Sequence, residues 1–232
     1  MIFSMLSCHI LVLAIQAATR AQYPETSRSL GFTLIANITD TSKIGIFNDP
    51  IHNWPFTSIH TGAGLNTGII RQTTRDILFV NGTLDQVAAM GTRIWVPPLL
   101  FNQDPWGMEF GQSTPWASGY VSIDVGRAAD GAGVLNSARS PYPTLYTPAP
   151  FNSLRLFVCN ETLLTGVVWY PQYGVKQADV VPDNCAEMVL LAQCATLPLP
   201  LKQEDRDGHR WNSMPQEVDC YPNVSAINWN TY

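Results

Sequence analysis

Acid–base chemistry at a glycosidic or ester bond needs two carboxyl groups facing each other across a cleft, and the middle third of this 232-residue sequence offers Asp104, Glu109, Asp124 and Asp130. None of these is paired by spacing. Glu109 stands apart because Trp106, Met108 and Phe110 flank it, and an apolar setting raises a carboxyl pKa. Asp124 follows Ser122 by two residues on an alternating segment, so both belong to one strand face. Trp106 and Trp116 sit among glycine, proline and serine, and an exposed indole there is a platform on which a sugar ring stacks. Trp106, Glu109, Trp116 and Asp124 therefore form the candidate ligand-binding set. Each also has a plainer use, as a packed indole or a solvated carboxylate.

Other chemistries find less support. There is no Gly-x-Ser-x-Gly nucleophile elbow. His52, His60 and His209 show neither His-x-His nor His-Glu-x-x-His spacing, so no zinc site is expected. The acidic run Glu204, Asp205, Asp207 lacks the calcium-loop pattern and reads as a solvated loop. Gly62-Ala-Gly64 and Gly131-Ala-Gly133 lack the lysine and following helix of a phosphate loop and read as turns. No cofactor is expected, and no catalytic residue is assigned. With 46% apolar residues the chain is not disordered, and a net charge of −5 without a Lys/Arg-rich block gives no basis for nucleic-acid binding.

The compartment is legible at the N-terminus. Ile2 to Ile15 is almost unbroken apolar sequence followed by small residues, the pattern of a secretory signal peptide over residues 1–21 with Gln22 as the new first residue, Ala17 and Ala18 being alternative last residues removed. No membrane segment is expected after its removal. The remaining cysteines, Cys159, Cys185, Cys194 and Cys220, are even in number, as befits two disulfides in an oxidising compartment. A meander of strands over 154–159, 163–170 and 187–193 brings Cys159 beside Cys194 and leaves Cys185 for Cys220. Pairing Cys159 with Cys185 and Cys194 with Cys220 requires only a different strand order. Asn37, Asn81, Asn160 and Asn223 each begin an Asn-x-Ser/Thr sequon, so the expected product is a secreted glycoprotein, free or held in a wall.

The elements that must position these residues are mostly strands. Apolar alternation or β-rich composition marks 30–38, 54–60, 67–71, 77–80, 92–96, 121–125, 154–159, 163–170 and 187–193, each bounded by turn-forming residues. Thr83-Leu-Asp-Gln86 has capping-box spacing before a short helix ending at Gly91, and Pro215 marks a second helical turn. The four prolines of 140–150 make an extended surface loop. The expected architecture is all-β: residues 22–232 form a single-domain antiparallel β-sandwich, jelly-roll-like, with one or two short helices and two disulfides.

Phe32-Thr-Leu-Ile-Ala-Asn-Ile-Thr-Asp40, His60-Thr-Gly-Ala-Gly-Leu-Asn66, Pro141-Tyr-Pro143, Val189-Leu-Leu-Ala-Gln-Cys194 and Cys220-Tyr-Pro-Asn-Val-Ser-Ala-Ile-Asn-Trp229 occur in this order. Together they resemble the fungal secreted proteins labelled IgE-binding protein. That resemblance implies a filamentous fungus as source, an extracellular or cell-wall location and no established catalytic residue. The expected protein is a non-catalytic binding protein or antigen whose partner is a wall polysaccharide or a host protein. The competing expectation is a carbohydrate-binding or carbohydrate-active protein that uses the tryptophans and carboxylates named above.

Overall fold

A computed structural model describes residues 23–97, 105–111, 119–136, 138–147, 155–161, 172–198 and 214–229. The signal segment, Asp104, Trp116, the 163–170 strand, the 204–207 acidic run and His209 lie outside the described residues. In chain order the elements are β1 (Ser27–Ser29), β2 (Gly31–Ile38), β3 (Phe56–Gly62), β4 (Leu65–Ile70), β5 (Phe79–Asn81), α1 (Leu84–Ala88), β6 (Arg93–Val96), β7 (Trp106–Phe110) and β8 (Gly119–Val125). They continue with β9 (Gly133–Val134), β10 (Leu145–Tyr146), β11 (Arg155–Glu161), β12 (Gln172–Ala178), β13 (Cys185–Ala195), β14 (Pro215–Gln216) and β15 (Val218–Cys220). Single 3-10 turns cover Thr41–Ile46 and Val224–Ala226. The protein is an all-β sandwich, antiparallel throughout its strand ladders.

One large sheet runs in the order β14-β5-β6-β7-β8-β4-β12-β11-β13-β2, with β3 against β4. It folds back on itself until its ends meet. Phe32 of β2 exchanges two backbone hydrogen bonds with Leu78, immediately before β5, at 2.9 and 2.7 Å. Inside lie Phe32, Leu34, Ala36 and Ile38 of β2, Met108 and Phe110 of β7, and Val121 and Ile123 of β8, all in one buried cluster. Alternation within each strand accounts for this, since every second side chain shares a face.

The alternation of β2 predicts a half-buried strand, yet both of its faces are covered. Ile35, on the outer face, packs with Leu191, Tyr221 and Val224 because the C-terminal segment laps over β2 and β13. Tyr221 N donates to Ala192 O and Cys194 N to Tyr221 O, both at 2.9 Å, fixing that segment to β13.

The helix signal at Thr83 is correct in detail. Thr83 Oγ1 accepts from Gln86 N while Gln86 Oε1 accepts from Thr83 N at 2.7 Å. Met90 takes the left-handed conformation, φ 56°, one residue before the expected glycine stop. Pro215 starts no helix; it opens β14, an edge strand paired with β5, where a residue without an N–H costs no ladder bond.

The expected disulfide pairing is corrected. Cys159 bonds Cys185, with Cα atoms 4.0 Å apart, and Cys194 bonds Cys220, at 5.1 Å. The meander assumption failed because β12 lies on the far side of β11, so β11 and β13 are neighbours and antiparallel. Cys159 and Cys185 are then directly opposite in register. Asn160 N donates to Asn184 O at 3.0 Å, which makes the cysteine pair the neighbouring, closely spaced, non-hydrogen-bonded one. Cys194, at the other end of β13, meets Cys220 of β15 in the overlapping C-terminal segment.

Candidate functional site

Residues 106–110, expected as part of a loop, form β7 and pair with β8 in the register Gly107 to Asp124 and Glu109 to Ser122. Glu109 and Asp124 thus share one face as diagonal neighbours, for which about 7–8 Å is the usual spacing. Trp106 occupies the opposite face and packs against the main core. The expectation that Trp106 provides a sugar platform beside Glu109 and Asp124 is therefore corrected: positions three apart on a strand point to opposite sides. Trp116 lies outside the described residues, so the candidate set reduces on one face to Glu109 and Asp124.

The chain immediately after β8 builds the surroundings of Glu109. Gly126 turns the backbone with φ 67°, and the following loop crosses β7 at Gly107, where a Cβ would overlap the carbonyl of Arg127 and come within 2.5 Å of Ala128 Cβ. This crossing sets Arg127 and Asp130 near Glu109, and Asp130 pairs with Arg93 of β6. Burial raises the Glu109 carboxyl pKa first, and the charges of Asp124 and Asp130 raise it further, while Arg127 and Arg93 work in the opposite direction. The apolar sequence neighbours are not the cause, since Met108 and Phe110 face the core. Asp124 is held on both oxygens, accepting from Asn66 N at 3.4 Å and from Ser122 Oγ at 2.9 Å.

The same face continues to a compact polar group at Tyr120. Its hydroxyl donates to Glu161 Oε2 at 2.5 Å, Lys176 pairs with the other Glu161 oxygen, and the Lys176 ammonium lies 4.5 Å from the Tyr120 ring centroid. Burial opposes the Lys176 charge, but Glu161 and Tyr120 hold its pKa above the ordinary value. This group is a closed hydrogen-bonded set with its acceptors occupied by its own donors. Among the described residues, no group of three or more His, Cys, Asp or Glu side chains is arranged to hold a metal ion.

The sequons differ in setting. Asn37 and Asn81 are half-buried in β2 and β5, and Asn81 Oδ1 accepts from Met214 N at 2.5 Å. Asn160 Nδ2 donates to Ile46 O at 3.0 Å, which ties β11 to the 3-10 turn above it. Asn223 is exposed, and its Oδ1 accepts from Ser225 N and Oγ at 3.1 and 2.8 Å.

A groove of about 470 Å3 gathers Tyr23, Arg139–Pro141 and Asp219 from three distant parts of the chain, a juxtaposition that no motif marks. A smaller cavity of about 100 Å3 shares Arg139 and Asp219 with it. The only local signal was the proline run after residue 140, which marks an extended surface segment without saying what lies against it.

Residues 29–194 match the family model for a domain of unknown function, DUF7907. The chain is also 30% identical to the antigenic protein SchS34 of Stachybotrys chartarum over 230 residues, covering 90% of this chain and 94% of that protein. No solved structure matches it. With most of its length matched by that model and a fungal antigen as a near full-length relative, the chain belongs to the DUF7907 family.

Proposed function

We propose that this protein is an exported, N-glycosylated fungal protein, an antigen of the IgE-binding type, that acts outside the cell or in the wall by binding a partner rather than by catalysis. The observation that carries this reading is the pair of disulfides at the two ends of β13, since such bridges persist in oxidising compartments. The antigenic relative supports it as well. Expression of the full chain with its own leader in a filamentous fungus tests it. The expected result is protein in the medium, beginning at Gln22, with no free thiol and with a glycan at Asn223, the most exposed sequon asparagine. Retention in the cell with the leader intact would refute the export reading.

A carbohydrate-active reading has one observation in its favour, the placement of Glu109 and Asp124 on a single face with the Glu109 pKa raised. Polysaccharide hydrolysis by the purified protein that disappears in Glu109→Gln would establish it in place of the first reading. On the binding reading no hydrolysis is detected and Glu109→Gln is silent.

A further inference from the structure

We infer that the groove at Tyr23 is a subsite for a neutral saccharide, which rests on the reading of the protein as an extracellular binding protein and names its ligand class. Tyr23 is 46% exposed, yet its ring is held in place. It meets Tyr142 edge-to-face at 5.5 Å, Tyr142 meets Trp229 at 6.0 Å, and Trp229 meets the fully buried Tyr221 at 6.0 Å. An aromatic ring that is half exposed and braced by such a series presents stacking surface with little motion left to lose on binding.

The remaining groove surface suits a pyranose. Pro141 and Pro143 supply apolar ring walls, and Pro143 is fixed to β13 by the bond from Ala192 N to its carbonyl at 2.8 Å. Arg139, Ser140 and Asp219 supply polar groups along the same groove. Arg139 spends one guanidinium N–H on Ala88 O at 2.8 Å, so its head is positioned before any ligand arrives. Planar guanidinium and carboxylate groups suit pairs of adjacent hydroxyls, because each offers two hydrogen-bonding positions at fixed spacing. One cation and one anion line the groove, and the whole chain carries net −5, so an uncharged sugar fits better than an anionic one. At about 470 Å3 the groove falls within the usual range of roughly 300–1,000 Å3 for small-molecule sites.

The test is calorimetric titration of the purified, disulfide-intact protein with hexasaccharides of β-1,3-glucan, chitin and α-mannan, and with a proline-rich peptide as the competing occupant. Saturable binding of one of the sugars is expected, weakened at least tenfold by Tyr23→Ala and by Arg139→Gln and retained in Tyr23→Phe. Circular dichroism confirms that the variants are folded. Absence of sugar binding, binding unchanged in Tyr23→Ala, or capture of the peptide alone would each overturn the assignment. Export is measured separately, in the medium, so failure of this site is distinguishable from failure of the extracellular reading.

Discussion

Asp76 shows how a single side chain can set a pH dependence. Its carboxylate accepts from Ser58 Oγ at 2.9 Å and from Thr57 Oγ1 at 3.3 Å, but burial outweighs these bonds and raises its pKa. The folded state therefore holds its proton more tightly than the unfolded chain. The corresponding stability is fully present below the unfolded carboxyl pKa and is lost as pH rises through the folded value. Glu109 shifts the same way but is more exposed and contributes less. In Asp76→Asn this fall in stability with rising pH should disappear. Urea midpoints between pH 3.5 and 7 measure this; a variant that kept the parental pH slope would place its origin elsewhere. Nothing local in Thr73-Thr-Arg-Asp76 indicates that β3 will cover the carboxylate.

At the scale of elements, the β7–β8 ladder depends on one missing side chain. A Cβ at Gly107 would strike the Arg127 carbonyl, so Gly107→Ala must push the crossing loop outward. Overpacking of this kind costs about 1–3 kcal/mol, and thermal unfolding should show that loss, with the environment of Glu109 disturbed at the same time. Gly107 also explains why the sequence of β7 reads as loop: Trp106, Met108 and Phe110 alternate, but a glycine between prolines and further glycines interrupts the strand pattern. The bridges make a second prediction. Peptide mapping without reduction should recover Cys159 joined to Cys185 and Cys194 joined to Cys220. Opening either 26-residue separation by a double Cys→Ala replacement should cost about 3–4 kcal/mol on the chain-entropy relation. Recovery of Cys159 joined to Cys194 would contradict the observed strand order.

For the whole molecule, β2 meets Leu78 across the closure, and the C-terminal segment lies against β2 and β13. Among the described residues the main buried cluster joins β2 and β13 to β3 through β8, β11 and β12, so residues 22–232 should unfold in one step. Calorimetry should give equal calorimetric and van't Hoff enthalpies; two resolved transitions would divide the chain into separate domains.

The all-β class, most of the longer strands, the Thr83 capping box and the availability of four cysteines for bridging can be read from residue order alone. These depend on side-chain period, turn chemistry and residue count, which are local. That β12 lies outside β11, and with it the pairing of Cys159 to Cys185, emerges only when the sheet assembles. That assembly also places Trp106 and Glu109 on opposite sides and draws Tyr23, Arg139 and Asp219 into one groove. Neighbouring strands are selected by burial summed over the whole sheet, and residues in separate segments carry no mark in their own sequence of where that sum will place them.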